Sequence, residues 1–324
     1  MRVLKSNQRR LYQLAYSWDG AFLYATSDYT TRWDKRGVDR WELGGSGVAE
    51  RLVGTPGRAS DFCTLPDGRL IVGGDTTSTD GAARFPIVAV VDPTGARPPW
   101  ELPRCRCPTL IGPSPSGNRF LAQGVARGRR STLLSYRLPL LPTALPEWEV
   151  RVTPLTDGNS SMLAGFEFEP SGERVWSLEV TSFGNRPVKV AGRWRSADTG
   201  KSICKPIPIT DNLTRDTRLA VNGDRLIGYS KATMSSLDLT NPTAKPTTLR
   251  TRKHFTGLAV HPEGRRVFAT CNDGTVREYD AVTLRELRAY AWKVGKLTCI
   301  AVAPDGLTAA AGSDTGKVVV WDLD

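Results

Sequence analysis

Residues 255–292 read FTGLAVHPEG, RRVFATCNDG, TVREYDAVTL and RELRAYAW, four short apolar segments separated by three turns. Residues 295–324 repeat the first three segments as GKLTCIAVAPDG, LTAAAGSDTG and KVVVWDLD. Apolar segments of this length, bounded by Pro, Asp and Gly, are typical of antiparallel strands joined by tight turns. The two stretches therefore predict a repeated four-stranded unit, and the second copy lacks its last strand.

The first turn of this unit recurs along the whole chain. It appears as SWDG at 17–20, LPDG at 65–68, SPSG at 114–117, EPSG at 169–172, VNG at 221–223, HPEG at 261–264 and APDG at 303–306. Pro presets φ, Asp or Ser caps the turn, and Gly takes the left-handed position. Successive turn glycines lie 48, 49, 55, 51, 41 and 42 residues apart. One blade of a β-propeller needs roughly 40–50 residues, so the spacing predicts seven blades.

The predicted fold is all-β: a single seven-bladed β-propeller of four-stranded antiparallel blades over residues 1–324. The expected blades are 8–54, 55–104, 105–153, 154–209, 210–251, 252–292, and 293–324 together with 1–7. Because the last blade has three strands of its own, we expect Val3 and Leu4 to pair with residues 318–321. Such pairing closes the ring and removes exposed sheet edges.

Two segments carry a resemblance to a known family. ATCNDGTVREYD at 269–280 and VVVWD at 318–322 resemble WD repeats, and the resemblance is strongest over residues 255–324. In blades one to five it is reduced to turn spacing and strand pattern. The resemblance implies a non-catalytic propeller that serves as a platform for protein interactions.

The chain also departs from the family pattern. WD repeats often link their strands through a Gly-His dipeptide, a Ser or Thr, an Asp and the Trp. Asp273 matches that Asp, but Thr315 stands in its place in blade seven, and no Gly-His dipeptide occurs. These departures indicate a divergent, bacterial-type member.

Few residues are available for catalysis. The chain has two histidines: His261 is expected to be a solvated turn residue, and His254 could reach the rim of the ring. G-x-S-x-G, G-x-x-x-x-G-K-[ST] and G-x-G-x-x-G are all absent from the sequence, and the carboxylates are spread through turns. The six cysteines are too few for a disulfide framework in a chain of this length. We therefore expect no catalytic residue, metal or cofactor, although a divergent propeller hydrolase or lactonase remains an alternative.

Composition and the lengths of apolar runs bear on where in the cell the protein is expected. Apolar residues make up 40% and charged residues 24% of the chain, values typical of a folded globular protein. No apolar run approaches the roughly 20 residues that cross a bilayer, and MRVLKSNQRR at the N-terminus lacks the apolar core of a signal peptide. We expect a cytoplasmic monomer without membrane association.

The charges are expected to separate between the two ends of the ring. Connections after the first and third strands of each blade lie at one end, here the bottom face. Connections after the second strands and between blades lie at the other end, the top face. The chain has 44 Lys and Arg against 33 Asp and Glu, a net charge of +11, and many of the carboxylates fall in bottom-face turns. The pattern predicts an acid-rich bottom face and a basic top face.

Arginine and aromatic residues on projecting loops are typical of binding hot spots. The expected partner-binding residues are Arg32, Trp33, Arg36, Arg58, Arg84, Phe85, Arg106, Arg127, Arg129, Arg130, Arg252, Lys253 and Lys293. They predict that the top face binds an acidic protein or peptide. Nucleic acid is the second choice, because arginines can hold phosphates while Trp33 or Tyr29 stacks on bases.

Overall fold

The structure is a computed structural model that describes residues 1–27, 37–52, 55, 58–77, 84–102, 111–126, 130–151, 160–169, 171–183, 186–208, 218–222, 224–241 and 244–323. At several strand ends it describes the backbone alone. Within these residues the secondary structure consists of strands, and no helix long and apolar enough to span a membrane is found among them.

The strands form seven four-stranded antiparallel sheets. Blade one contains β2 (Leu11–Tyr16), β3 (Phe22–Ser27), β4 (Val38–Glu42) and β5 (Glu50–Arg51). Blade two contains β6 (Arg58–Thr64), β7 (Leu70–Thr77), β8 (Arg84–Val91) and β9 (Trp100–Glu101). Blade three contains β10 (Ile111–Pro113), β11 (Arg119–Ala126), β12 (Arg130–Arg137) and β13 (Trp148–Arg151). Blade four contains β14 (Ser160–Phe168), β15 (Arg174–Phe183), β16 (Arg186–Ser196) and β17 (Ile207–Pro208).

The last three sheets are the most regular in strand length. Blade five contains β18 (Arg218–Asn222), β19 (Arg225–Ser230), β20 (Thr233–Asp238) and β21 (Thr247–Arg250). Blade six contains β22 (Phe255–Val260), β23 (Arg266–Cys271), β24 (Thr275–Asp280) and β25 (Glu286–Ala291). Blade seven contains β26 (Leu297–Val302), β27 (Thr308–Ser313), β28 (Lys317–Asp322) and β1 (Arg2–Lys5). The seven sheets are the blades of one β-propeller, as the sequence predicted.

The N-terminal strand closes the ring. β1 pairs antiparallel with β28, with Val3 opposite Val319 and Leu4 opposite Val318. Leu4 is 1% exposed and belongs to a core that joins blade seven to blade one. The expected closure is therefore confirmed, and the last blade takes its outer strand from the other end of the chain.

Tight turns join the first and second strands of the blades. In six of the seven turns, those at Gly20, Gly68, Gly117, Gly172, Gly264 and Gly306, the glycine amide donates to the carbonyl three residues earlier at 2.8–3.0 Å. These glycines have φ between 67° and 82°, a left-handed conformation that other residues adopt at a cost. Gly223, in the seventh turn, lies outside the described residues. The local chemistry of Pro, Asp and Gly is sufficient to form these turns.

A bulge recurs at the start of the inner strands. The register of β2, β6, β22 and β26 shifts by one residue near the top of each strand, and that of β14 shifts farther along, between Leu163 and Gly165. In two blades the bulged residue is a threonine that contacts the next blade: Thr256 Oγ1 donates to Leu297 O at 2.9 Å, and Thr298 Oγ1 donates to Leu11 O at 2.6 Å. Bulges redirect side chains in this way, so these two threonines tie neighbouring inner strands together.

The apolar cores lie between blades. Leu121 and Leu133 of blade three pack with Phe166 and Phe168 of blade four. The other cores also combine side chains from two neighbouring sheets. Phe268 of blade six, for example, packs in one core with Ile300 of blade seven. Each sheet therefore buries both faces, and its stability depends on the blades beside it.

Removing the contribution of β1 should destabilise the whole ring. We expect Leu4→Ala to cost about 3 kcal/mol, because a fully buried leucine leaves a cavity at the junction of the first and last blades. Deletion of residues 1–6 should lower the Tm by several degrees, measured by differential scanning calorimetry. Val3→Ala is the matched control, since Val3 lies on the same strand with its side chain half-exposed. An unchanged Tm after the deletion would contradict the closure.

Candidate functional site

The antiparallel order of the strands places the connections as the sequence suggested. The top-face connections that the structure describes in full are 6–10, 231–232, 251–254, 272–274, 292–296 and 314–316. All of them belong to blades five, six and seven or lead into blade one. The top face is therefore seen in detail over about half of the ring.

The thirteen predicted binding residues fall into three groups. Arg32, Trp33, Arg36, Arg106, Arg127 and Arg129 lie outside the described residues. Arg58, Arg84, Phe85 and Arg130 are described by their backbone, which begins strands β6, β8 and β12 at the top end. Arg252, Lys253 and Lys293 are described in full, and they lie in the connections that lead into blades six and seven.

The described cations of this group differ in their surroundings. Arg252 and Lys293 are exposed. Lys253 donates from Nζ to Asp273 Oδ2, in the turn between β23 and β24. Burial alone would raise the pKa of Asp273, but hydrogen bonds from Lys253 and Thr275 hold that pKa below its ordinary value. Lys253 thus helps to hold a turn, whereas Arg252 and Lys293 project into solvent.

Further cations lie on the same face. Arg9 and Arg10 lie in the connection between β1 and β2, Lys231 in the turn between β19 and β20, and Lys296 just before β26. Arg10 and Lys231 have φ of 46° and 51°, a conformation that costs a non-glycine residue roughly 1 kcal/mol. Arg9, Arg10 and Lys231 were not among the binding residues predicted from the sequence. Their positions in top-face connections could have identified them.

The described top-face connections are strongly basic. They contain seven Lys or Arg residues and two carboxylates, Asp273 and Asp314. Both carboxylates accept hydrogen bonds within the fold: Asp314 Oδ1 accepts from the Lys296 amide at 2.9 Å, and Asp273 Oδ1 accepts from Thr275 Oγ1 at 2.6 Å. In these connections the positive charge exceeds what the carboxylates neutralise.

The bottom face is less acidic than carboxylate positions alone suggest. Several of its carboxylates form ion pairs with arginines that were not predicted to lie on the bottom face. The pairs are Arg69 with Asp67 at 2.6 Å, Arg174 with Glu169 at 2.5 Å, Arg119 with Asp198 at 2.9 Å and Arg225 with Asp238 at 3.7 Å. Arginines at or just before the start of the second strands reach turns on this same bottom face, so the prediction of an acid-rich face was incomplete.

His261 is not a solvated turn residue, and that expectation was wrong. Its side chain is 3% exposed, and Nε2 lies 3.1 Å from the carbonyl oxygen of Gly306 in blade seven. The Glu263 amide donates to Nδ1 at 3.3 Å. The neighbouring blade covers this turn, which local sequence could not reveal. His261 therefore ties blade six to blade seven.

One buried carboxylate is paired within the fold. Glu179, on β15, is fully buried and accepts from Arg195 at 2.6 Å and from Arg193 at 2.9 Å. Among the described residues no group of three or more His, Cys, Asp or Glu could hold a metal ion. Cys63, Cys204, Cys271 and Cys299, the cysteines in this part of the chain, are free thiols.

A cavity of about 200 Å³ opens on the inner strands of blades one, six and seven. Tyr12, Thr256 and Thr298, all residues of the inner-strand bulges, line it together with apolar residues such as Leu258 and Ile300. The two threonine hydroxyls donate to backbone carbonyls of neighbouring strands. The polar groups on its wall thus serve the framework, and they do not form a nucleophile with a base.

Comparison with known proteins identifies the repeat. The family model described as "WD domain, G-beta repeat" matches residues 246–280 and 283–322, which form the last two blades. The last two blades are therefore WD repeats. The resemblance seen in the sequence is thereby confirmed.

Two relatives extend this result. Protein groucho of Drosophila melanogaster is 28% identical over 116 residues, which are 35% of this chain and 16% of groucho. The β-propeller domain of Cps50 (Swd1) from Myceliophteria thermophila superposes with a TM-score of 0.70, covering 100% of this chain and 99% of that domain. Their sequence identity is 15%, so the likeness shows a shared fold. WD-repeat propellers are typically scaffolds that bind protein partners, and they are generally non-catalytic.

A second carboxylate, on an inner strand, has a perturbed pKa. Glu167 lies on inner strand β14 between Phe166 and Phe168, which pack toward blade three. Alternate side chains of a strand point to opposite faces, so Glu167 faces the other way, toward blade five. Burial raises the pKa of Glu167 to about 8. The folded protein therefore holds a proton here that the unfolded chain releases near pH 4.5.

Glu167 should make the stability depend on pH. Between these two pKa values the folded state binds more protons than the unfolded state, so the free energy of unfolding falls as the pH rises. We expect a loss of roughly 2–4 kcal/mol between about pH 5 and pH 8, measured by urea denaturation. Glu167→Gln should remove this loss, whereas Glu173→Gln, at an exposed turn, should keep it. Parallel pH profiles for the wild type and Glu167→Gln would contradict the assignment.

Proposed function

We propose that this propeller is a non-catalytic scaffold that binds an acidic protein or peptide on its top face. The observation that carries the proposal is the charge of the described top-face connections. They contain seven cations and two carboxylates, and both carboxylates already accept hydrogen bonds within the fold. The WD repeats of the last two blades support the coarser statement that the partner is a protein.

The physical basis is electrostatic complementarity. Clustered cations attract an acidic chain over a range of about 8–10 Å at physiological salt, and this attraction raises the association rate. An arginine such as Arg252 can also pair bidentately with a carboxylate once the chains meet. The partner we propose is therefore rich in Asp and Glu.

Two of these cations stand at backbone positions that glycine adopts more easily. Arg10 and Lys231 hold left-handed conformations that glycine or asparagine would adopt at lower cost. Glycine occupies the corresponding conformation at Gly316, in the turn between β27 and β28. Long cationic side chains at strained positions fit a surface selected for its charge.

Neutralising exposed top-face cations should weaken binding of an acidic peptide. The probe is a fluorescein-labelled peptide of about fifteen residues in which Glu, Ser, Gly and a few Leu alternate. We expect the triple variant Arg252→Gln, Lys293→Gln and Lys296→Gln to bind it about tenfold more weakly and with a shallower dependence on salt, measured by fluorescence anisotropy. The corresponding loop variant, with Arg127, Arg129 and Arg130 neutralised, should act in the same direction.

The matched control removes the same charge from the bottom face. Lys201, Lys205 and Lys245 are exposed there, in connections after the third strands of blades four and five. Changing all three to Gln should leave the affinity within about twofold. Equal losses for the two triple variants would mean that net charge alone drives binding. Tighter and more salt-dependent binding of a single-stranded oligonucleotide would favour the nucleic-acid alternative.

A further inference from the structure

The first turn of blade one carries an exposed tryptophan where other blades carry proline. Trp18 is 36% exposed, and the corresponding residues of five other blades are Pro66, Pro115, Pro170, Pro262 and Pro304. The turn does not depend on Trp18, because Ser17 Oγ donates to Asp19 Oδ1 at 2.5 Å and accepts from the Phe22 amide at 2.8 Å. The indole is therefore not needed to form the turn that presents it.

A second exposed apolar residue lies on the neighbouring turn. Leu307 follows the turn glycine of blade seven and is 64% exposed. The other blades place small or polar residues at this position: Ala21, Arg69, Asn118, Glu173, Asp224 and Arg265. Thr308 Oγ1 donates to the Tyr16 hydroxyl at 3.4 Å, which brings the two turns together across the junction of the ring.

Carboxylates lie in the same two turns and at the end of the strand beside them. Asp19 and Asp305 lie in the same two turns, and Asp322 ends the adjacent strand β28; all three are exposed. Burial raises the pKa of Tyr16, and the charges of Asp305 and Asp322 add to this shift. Both carboxylates therefore act on the phenol that lies beneath the two turns.

The nearby cations are held by the protein itself. The Met1 ammonium lies 3.8 Å from Asp322. The Arg2 guanidinium donates to the carbonyls of Leu43 and Gly45 at 2.5 Å each, which directs it into a loop of blade one. The patch thus combines two apolar side chains with a negative rim.

We propose that Trp18 and Leu307 form a docking site for a basic amphipathic segment of a partner protein. Tryptophan flanked by apolar surface is a frequent binding hot spot, and the rim of carboxylates selects Lys and Arg around the apolar anchor. The same patch of a second copy is a poor occupant, because the carboxylates of the two copies would face each other. This site lies on the bottom face and is independent of the acidic partner proposed for the top face.

The test uses the top-face peptide with every Glu replaced by Lys. We expect this basic peptide to bind the wild type and to lose at least tenfold in affinity in Trp18→Ala and in Leu307→Ala, measured by fluorescence anisotropy. Trp18→Phe should retain part of the affinity. Asp322→Asn should mainly slow association, measured by stopped-flow mixing.

The controls separate this site from general stickiness and from the top face. Leu141 and Leu145 are 62% and 58% exposed on the bottom face of blade three, and their Ala variants should bind the basic peptide as the wild type does. All these variants should keep the wild-type Tm and the wild-type affinity for the acidic peptide, so failure of either proposal can be recognised separately.

Three results would overturn the docking site. The first is an unchanged affinity of Trp18→Ala and Leu307→Ala for the basic peptide. The second is equal loss in the Leu141 and Leu145 variants, which would indicate unspecific apolar contact. The third is a dimer in sedimentation velocity that dissociates in Trp18→Ala, because a second copy would then occupy the patch.

Discussion

The pairing of β1 with β28 is the contact on which the rest of the structure depends. Each blade buries both of its faces against neighbours, so an open ring would expose the inner faces of two sheets at once. The four residues of β1 prevent this by joining the two ends of the chain in a single blade. Leu4 packs in the core between the last and first blades. Arg2, on the same strand, donates a hydrogen bond to the Leu43 carbonyl in a loop of blade one. The N-terminal strand therefore both completes the sheet of blade seven and contributes to the core between blades seven and one.

The same junction contains several functional and structural features. On the top side, the connection with Arg9 and Arg10 leads from β1 into blade one. On the bottom side, the turns with Trp18 and Leu307 meet beside the buried Tyr16. Because strands alternate in direction, one ring offers two faces with different chemistry from a single repeated unit. The two sites that we propose would let one ring hold two unlike partners at once.

Several charged and polar groups in the interior hold the framework together. Glu179 is saturated by two arginines, His261 contacts the backbone of the next blade, and the threonines of the cavity wall donate to strand carbonyls. Buried polar groups are costly unless each has a partner, and here the partners lie in neighbouring strands. These groups stabilise contacts between and within blades.

The sequence by itself determined the features that depend on short-range chemistry. Pro, Asp and Gly within four residues specify the turns, their spacing predicts seven blades, and the three-stranded last unit predicts the pairing of Val3 and Leu4 with β28. Contacts between blades were decided by tertiary structure alone. The burial of His261 under Gly306 and the hydrogen bond between Thr308 and Tyr16, which joins the turns that carry Leu307 and Trp18, connect residues that are far apart in the chain. A repeat pattern gives the order of the blades, but the ring geometry sets which side chains meet across each junction.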